Sequence, residues 1–456
     1  MRELWIIVRH ALTVLAGQLA VMAFGVTDTI VSGRHSQEAL AALSIGSAVF
    51  ISVYVALMGV LQALLPVWAE QHGAGQPAEI GKSLRQSLYL WVSASLLGMA
   101  LLLSPGAILQ ATDVPQALRD QVQAYLAVLA FGLPPALLFR LYSTLNQALG
   151  WPKLVAWLQV GSLLVKVPLS IWFTFGGGPL AAQGAVGCAW ATLAVNYLLA
   201  ALGLWLLRRN PAYAPLHLWR WPEPPERTAL ARFLRLGLPA GLAILVEVTS
   251  FTLMALFIAR QGTLATAAHQ IAANLAAVLY MVPLSLAIAT SARVSFWRGS
   301  GNETHAAAAA WKGFWLAAGM GCGLAAILFI AKQPIAGLYT SSPQVIALSA
   351  GLLTWVAAYH VADALQTLCI FVLRSWHITL APLLLYGLLL WGLGLAGGYR
   401  LAYHGGLGLA ALHSPSAFWA ASAAALAVVA LAFTALLAWV LRQGRVSAPA
   451  RAESPD

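Results

Sequence analysis

Long apolar stretches recur along the whole chain, and short polar segments separate them. Each stretch has about eighteen residues or more, enough for an α-helix to cross about 30 Å of hydrocarbon. The runs are continuous and lack the alternation of an outer-membrane β-barrel strand. The pattern predicts an all-α, polytopic membrane protein with about twelve transmembrane helices. Their predicted limits are roughly 10–32, 41–67, 86–105, 121–148, 153–175, 184–207, 236–260, 267–292, 311–331, 345–372, 379–402 and 417–441.

Composition supports a membrane protein. Of the 456 residues, 61% are hydrophobic and only 9% are charged, and the mean hydropathy is +0.80. A soluble domain of this composition could not cover its surface with polar groups. The lipid bilayer is therefore an expected partner of the chain.

The net charge of +11 would suggest nucleic acid in a soluble protein, but here it follows the topology. With the N-terminus inside, 19 of the 25 Lys and Arg residues fall in inner segments, 5 in outer segments and Lys166 within a span. The positive-inside rule then places both termini in the cytoplasm and the protein in the inner (cytoplasmic) membrane. No nucleic-acid partner is expected.

The longest polar segment, residues 208–235, is rich in Pro and Arg and divides the spans into two sets of six. The predicted organisation is an N-terminal six-helix lobe over 1–207, a cytoplasmic linker over 208–235, a C-terminal six-helix lobe over 236–441 and a disordered cytoplasmic tail over 442–456.

The two predicted lobes resemble each other in sequence. Residues 54–76 align without a gap on residues 280–302, and both segments begin with Tyr and end in a Gly-x-Gly loop. An even number of spans in each lobe gives both the same orientation, so this is a parallel internal repeat about an axis along the membrane normal. Such a repeat predicts a cavity between two lobes, where alternating access can occur.

Only three carboxylates lie deep inside predicted spans: Asp28, Glu247 and Asp363. Charged groups are costly in hydrocarbon and are usually functional there. A buried carboxylate can bind a proton, a metal cation or an organic cation, so these residues predict cation-coupled transport. Two carboxylates in a low-dielectric cavity repel, and one of them should hold a proton near neutral pH unless Na⁺ supplies the charge. The residue types do not decide whether the coupling ion is Na⁺ or H⁺, and no cofactor other than this ion is expected.

Several other polar residues lie inside spans. Tyr359 precedes Asp363 by one helical turn and shares its face, and Tyr280 could offer its ring face to a cation. Lys166 could pair with Asp28 or extend towards a membrane interface. His269 is expected to have a structural role near the outer end of the eighth span.

The segments FGVTDTIVSG with ALAALSIG, LVEVTSF with AAHQIAANL, and YHVADALQTLCIFVLRSW occur in this order along the chain. In these motifs, the chain resembles the MATE (multidrug and toxic compound extrusion) transporters of the NorM-type bacterial branch over about residues 10–440. One departure concerns an inner loop. The family's tenth span often ends in Leu-Arg-Gly-Tyr-Lys-Asp, whereas residues 373–378 here read LRSWHI.

The resemblance implies site residues. Glu247, Asp363, Tyr359 and Tyr280 match positions implicated in cation or substrate binding in the C-terminal lobe. Glu247 and Asp363 would be the Na⁺ ligands of a sodium-coupled member. Asp28 matches the N-terminal-lobe carboxylate that is tied to proton or substrate coupling.

The expected function is secondary active efflux of organic cations and other amphiphilic compounds in antiport with Na⁺ or H⁺. The expected partners are small cationic drugs or dyes and a monovalent cation, and the chain is expected to be a monomer. One alternative is a flippase for a lipid-linked precursor, which would favour a cavity rich in Arg and Lys rather than in acids. Another is a membrane-embedded enzyme, but the sequence has no HExxH motif and no GxSxG within a span. ATP-binding motifs are also lacking, so an ion gradient is the expected source of energy.

Overall fold

The computed structural model describes residues 2–106, 116–177, 181–220, 223–405 and 410–447. Helices make up nearly all of this part of the chain. They are α1 (Arg2–His35), α2 (Gln37–Gln62), α3 (Leu65–Gly73), α4 (Pro77–Leu103), α5 (Gln116–Ala148), α6 (Pro152–Phe175), α7 (Ala185–Arg209), a 3₁₀ helix (Pro211–Leu216), α8 (Arg227–Ala259), α9 (Thr263–Gly299), α10 (Glu303–Ile330), α11 (Lys332–Tyr339), α12 (Pro343–Arg374), α13 (Leu380–Gly387), a π-helix (Leu388–Ala396), α14 (Gly397–Tyr403) and α15 (Ser416–Ser447).

Twelve segments of the described chain are long and apolar enough to cross a membrane, and each coincides with a predicted span. The predicted fold class is confirmed. Many helices extend beyond the predicted limits, as at the start of α8 and the end of α9. Apolar composition marks only the part of a helix in hydrocarbon, while the backbone hydrogen bonds continue into polar sequence.

Two details of the chain could not be read from hydropathy. The second span is interrupted after Gln62, and Pro66 lies in the first turn of α3, where its missing N–H has no cost. Helices also extend into the predicted linker, since α7 ends at Arg209 and α8 begins at Arg227. The last helix continues to Ser447, and the rest of the predicted tail lies outside the described residues. The lobe limits themselves stay a prediction.

The chain forms two compact units, here called the first unit (Leu12–Leu245) and the second unit (Val246–Asp456 with Met1–Ala11). In the first unit, α5 packs against α2, α4 and α7, and in the second unit, α12 packs against α9, α10 and α15. Both central helices are the fourth of six spans, and their three neighbours are the second, third and sixth. This repeated packing agrees with the internal repeat inferred from the sequence.

Candidate functional site

The second unit brings four predicted site residues together. Glu247 lies on α8, Tyr280 on α9, and Tyr359 and Asp363 on α12. Each carboxylate interacts electrostatically with both tyrosines, and the two carboxylates also interact with each other. Three helices therefore direct these four side chains into one region, here called the carboxylate pair site.

Asp363 is held in a fixed orientation by residues of its own helix. The amide of Gln366 donates to Oδ1 of Asp363 at 3.0 Å, and the hydroxyl of Thr367 lies 3.5 Å from the same oxygen. Gln366 also donates to Thr367 at 2.9 Å. Positions three and four residues apart share a helix face, which explains why these side chains meet. Asp363 is only 3% exposed, so these contacts replace much of its hydration.

The positive side chain of Arg374 interacts electrostatically with Tyr280 of the carboxylate pair site, but it is not ion-paired with either carboxylate. Among the described residues, neither Glu247 nor Asp363 forms an ion pair. Asp363 is buried and Glu247 is partly buried, and two such carboxylates inside membrane spans cannot both stay charged at low cost without an ion-pair partner. The site is therefore suited to take up a proton, a metal cation or an organic cation. Within the described chain, no three His, Cys, Asp or Glu side chains converge, so a metal ion there would also need hydroxyl or carbonyl ligands.

Aromatic rings lie beside the carboxylates. Phe251, one turn after Glu247, has its ring centroid 6.0 Å from that of Tyr359, and Trp419 of α15 lies 5.9 Å from Tyr359. Trp419 donates its indole N–H to His269 at 3.2 Å, which agrees with the structural role expected for His269. Rings at this spacing can contact an organic cation through their faces. The buried hydroxyl of Tyr359 has no hydrogen-bond partner in the described part of the chain.

Tyr386 of α13 is a further member of the site that the sequence analysis did not identify. It interacts electrostatically with both carboxylates and faces Glu247, although its buried hydroxyl makes no hydrogen bond of normal geometry within the described residues. The π-helix begins two residues later, and its Trp391 donates to the carbonyl of Val246 at 3.1 Å. This bond ties the eleventh span to the turn that carries Glu247. A hydroxyl in the apolar run LAPLLLYGLLL was the available signal.

Asp28, the fifth predicted site residue, lies in the first unit. Its Oδ1 is 2.7 Å from Nζ of Lys166, which is fully buried. Of the two possibilities that the sequence left open for Lys166, the structure contains the ion pair with Asp28. The five predicted residues thus form two separate sites, one with a built-in counter-ion and one without.

The LRSWHI loop at the end of α12 is held by contacts of Ser375 and Trp376. The hydroxyl of Ser375 accepts a hydrogen bond from the hydroxyl of Ser295 at 2.8 Å. The backbone carbonyl of Ser375 accepts a hydrogen bond from the guanidinium of Arg298. Arg298 also lies over the ring of Trp376, 5.0 Å from its centroid. His377 adopts a left-handed backbone conformation with φ 60°, which closes the turn. Ser375 and Trp376 therefore anchor the loop at positions where the MATE family often has Gly and Tyr.

The site and the fold can be compared with those of known proteins. The sequence model of the MatE family matches residues 14–172 and 239–400, which include all five predicted site residues. The chain belongs to the MatE family. It is 37% identical to the probable multidrug resistance protein NorM of Aromatoleum aromaticum, over 95% of this chain and 94% of that protein. It is 31% identical to the multidrug resistance protein MdtK of Pectobacterium atrosepticum, over 97% and 96% of the two chains.

Solved structures support the same fold for this MatE family member. The crystal structure of the eukaryotic MATE transporter AtDTX14 superimposes with a TM-score of 0.85 and covers 98% of both chains at 17% identity. A crystal structure of a MATE protein in complex with MaL6 superimposes with a TM-score of 0.88 at 16% identity. At such low identity the agreement concerns the fold alone. The chain is a multi-pass membrane protein with the MATE architecture.

Proposed function

We propose that this chain is a secondary active multidrug efflux transporter, which exports organic cations and amphiphilic compounds in exchange for Na⁺ or H⁺ by alternating access. The observation that carries the proposal is the carboxylate pair site, where Glu247 and Asp363 are close together without an ion-pair partner among the described residues. Membership of the MatE family and relatives that are named multidrug resistance proteins support the same function.

The chemistry of the pair accounts for antiport. A bound proton or Na⁺ neutralises part of the negative charge of Glu247 and Asp363, and an organic cation would neutralise the same charge. The two ligands therefore compete, and each one stabilises the conformation that it binds more tightly. Tyr280, Tyr359 and Tyr386 would contribute ring faces and hydroxyl groups to either ligand. Within the described residues, the hydroxyl of Tyr359 has no hydrogen-bond partner and that of Tyr386 makes no hydrogen bond of normal geometry, which fits such a role.

The remaining parts of the proposal follow the topology and the chemistry of the site. The excess of positive charge in inner segments supports cytoplasmic termini and an inner-membrane location. We propose a transporter without enzymatic activity that acts as a monomer, with cationic drugs or dyes and a monovalent cation as its ligands. A flippase for lipid-linked precursors is not favoured, because the two charged side chains that define the carboxylate pair site, Glu247 and Asp363, are both acidic.

Efflux of ethidium from proteoliposomes tests the proposal. Na⁺ and H⁺ gradients are imposed separately on vesicles with the wild type, Glu247→Gln or Asp363→Asn. We expect one gradient to drive efflux by the wild type, and both variants to fall to the rate of protein-free vesicles. Because each variant keeps the size of its side chain, the loss would report the missing charge.

Glu38→Gln is the matched control, since Glu38 is an exposed carboxylate in the first turn of α2. It should pump like the wild type. If neither gradient moves the dye, or if Glu247→Gln and Asp363→Asn pump as well as Glu38→Gln, the assignment of the carboxylate pair site is wrong.

A further inference from the structure

Asp28 and Lys166 are the centre of a buried polar cluster in the first unit. Nζ of Lys166 lies 2.7 Å from Oδ1 and 2.9 Å from Oδ2 of Asp28, 3.1 Å from the carbonyl oxygen of Cys188 and 2.7 Å from Oγ1 of Thr192. Ser170, one turn after Lys166, donates its hydroxyl to Oδ1 of Asp28 at 3.0 Å. The side chains come from α1, α6 and α7, so the cluster joins three spans.

The hydrogen bonds of the ammonium group are complete. An ammonium has three N–H donors and accepts none, and here the carboxylate, the Cys188 carbonyl and the Thr192 hydroxyl receive them. Lys166 is 0% exposed and Asp28 is 7% exposed. No donor of the lysine is left over for water or for another ligand. Both charges are therefore compensated inside the first unit.

The oxygen atoms around the ammonium are of the kinds that a free monovalent cation would take. They are two carboxylate oxygens, one backbone carbonyl oxygen and the hydroxyl oxygen of Thr192. The hydroxyl of Ser170 does not contact the ammonium but donates to the carboxylate of Asp28. Hard cations prefer such oxygen ligands, and the ammonium of lysine is a compact point charge of comparable character. The chain thus supplies its own cation to an oxygen cage, here called the Asp28 cage.

The surrounding packing fixes the Asp28 cage. A side chain at Gly187 would lie 2.5 Å from the backbone of Phe173, so only glycine permits α6 and α7 to approach this closely. That approach brings Cys188 and Thr192 of α7 against Lys166 of α6. Among the described residues, the other titratable groups that interact with Asp28 are the phenol of Tyr125 on α5 and the thiol of Cys188, both of which are neutral acids near neutral pH. Lys166 is therefore the counter-ion of Asp28.

We propose that Lys166 is a tethered cation, which permanently occupies the Asp28 cage and keeps the carboxylate from taking up a proton or a free monovalent cation. The number of cations bound by this chain is then set by the carboxylate pair site alone. That last consequence rests on the proposed function, whereas the occupation of the cage can be tested without transport.

The test is infrared spectroscopy of the purified Glu247→Gln/Asp363→Asn variant. These two substitutions remove the carboxylates of the carboxylate pair site, and the measurement needs no drug. The C=O stretch of a protonated carboxyl group is measured from about pH 5 to about pH 9, between the unperturbed values of Asp and Lys. Subtracting the spectrum of the Asp28→Asn/Lys166→Met variant isolates Asp28. With Lys166 present, we expect no carboxylic acid band from Asp28 across this range.

Lys166→Met alone is the informative variant, since methionine is unbranched and fills similar space without charge. It should acquire a carboxylic acid band at neutral pH that disappears in Asp28→Asn/Lys166→Met. Lys166→Ala, which leaves room beside the carboxylate, should gain one bound ²²Na⁺ or one bound proton per protein. Neither gain is expected in the parent that retains Lys166.

The proposal is overturned if the parent with Lys166 shows a titrating Asp28 band, or binds ²²Na⁺ in a way that Asp28→Asn/Lys166→Met abolishes. It is also overturned if Lys166→Met remains folded and shows no Asp28 band at neutral pH. Should Lys166→Met or Lys166→Ala not fold, the comparison of the parent with the neutral double variant still decides the question. Because these readouts do not depend on efflux, a failure here is distinct from a failure of the efflux assay.

Discussion

Asp28 in the first unit and Asp363 in the second unit are buried, and Glu247 of the second unit is partly buried, but the surroundings of these carboxylates differ. Asp28 has the ammonium of Lys166 at 2.7 Å, whereas no ion pair with Glu247 or Asp363 exists in the described chain. A buried carboxylate and its resident cation form a neutral pair, which attracts a second cation only weakly. In our proposal, the two carboxylates without a resident cation obtain their positive charge from a ligand. Residues of the same type would thus have opposite roles because of one neighbouring side chain.

The largest effect on stability is expected where a buried ion pair is broken. Lys166→Met leaves the carboxylate of Asp28 uncompensated, and removal of one partner of a buried pair costs on the order of 3 kcal/mol. Glu247→Gln removes a charge that repels Asp363 and should leave the protein as stable as the wild type or more so. The apparent melting temperature of detergent-solubilised protein, measured at one scan rate, checks both. The comparison fails if Glu247→Gln destabilises the protein as much as Lys166→Met does.

A double-mutant cycle sharpens the same contrast. If Asp28 and Lys166 compensate each other, Asp28→Asn/Lys166→Met should be more stable than the sum of the single variants predicts, by about 2 kcal/mol. In the second unit, either neutral variant alone already relieves the repulsion. Glu247→Gln/Asp363→Asn should therefore gain little over the better single variant. Equal and additive losses in both cycles would mean that the two sites do not differ electrostatically.

The sequence predicts local features of the structure better than contacts between residues that are far apart in the chain. All twelve spans could be predicted, because about eighteen consecutive apolar residues have few alternatives to crossing a membrane. The break between Gln62 and Leu65 and the helix ends in polar sequence could not, because hydropathy does not report backbone hydrogen bonding. The carboxylates were identified since charge is rare in spans.

The partners of the carboxylates were harder to predict. Asp28 and Lys166 are 138 positions apart, and only the packing of α1, α6 and α7 decides that they meet. Tyr386 gave a weak signal because tyrosine is common in membrane helices, both in packing and at interfaces. Its place beside Glu247 depends on the eleventh span, which contacts the turn of Val246 through Trp391. Sequence therefore predicts which groups are unusual, and the tertiary structure decides which of them share a site.

A smaller effect is expected from Tyr386→Phe, which tests whether an unpartnered hydroxyl serves the ligand. Since its hydroxyl makes no normal hydrogen bond in the described residues, its loss should not lower the melting temperature. If the hydroxyl contacts the cation or the drug, the apparent affinity should fall by about fivefold, equivalent to roughly 1 kcal/mol. Affinity is measured from the concentration dependence of efflux.

Tyr403→Phe is the matched control for Tyr386→Phe. The hydroxyl of Tyr403 donates to the carbonyl of Phe257 at 2.6 Å, so its removal should lower stability by about 1 kcal/mol and leave ligand affinity unchanged. Tyr386→Phe should thus lower affinity but not stability, whereas Tyr403→Phe should lower stability but not affinity. If Tyr386→Phe lowers the melting temperature without changing affinity, Tyr386 belongs to the packing of the second unit and not to the carboxylate pair site.

An effect of similar small size is expected outside both charged sites, in the inner loop after α12. Ser375→Gly restores the residue that the resembling family often has there and removes the hydroxyl that bonds Ser295 at 2.8 Å. We expect a loss of about 1 kcal/mol in stability. Ser375→Ala separates the loss of the hydroxyl from the greater freedom of a glycine backbone. Neither variant should change the dependence of efflux on the driving ion, because the loop lies about three turns along α12 from Asp363. A changed ion dependence in Ser375→Gly would mean that the conformation of this loop is coupled to the carboxylate pair, and the contrast between the two units would then include the inner end of α12.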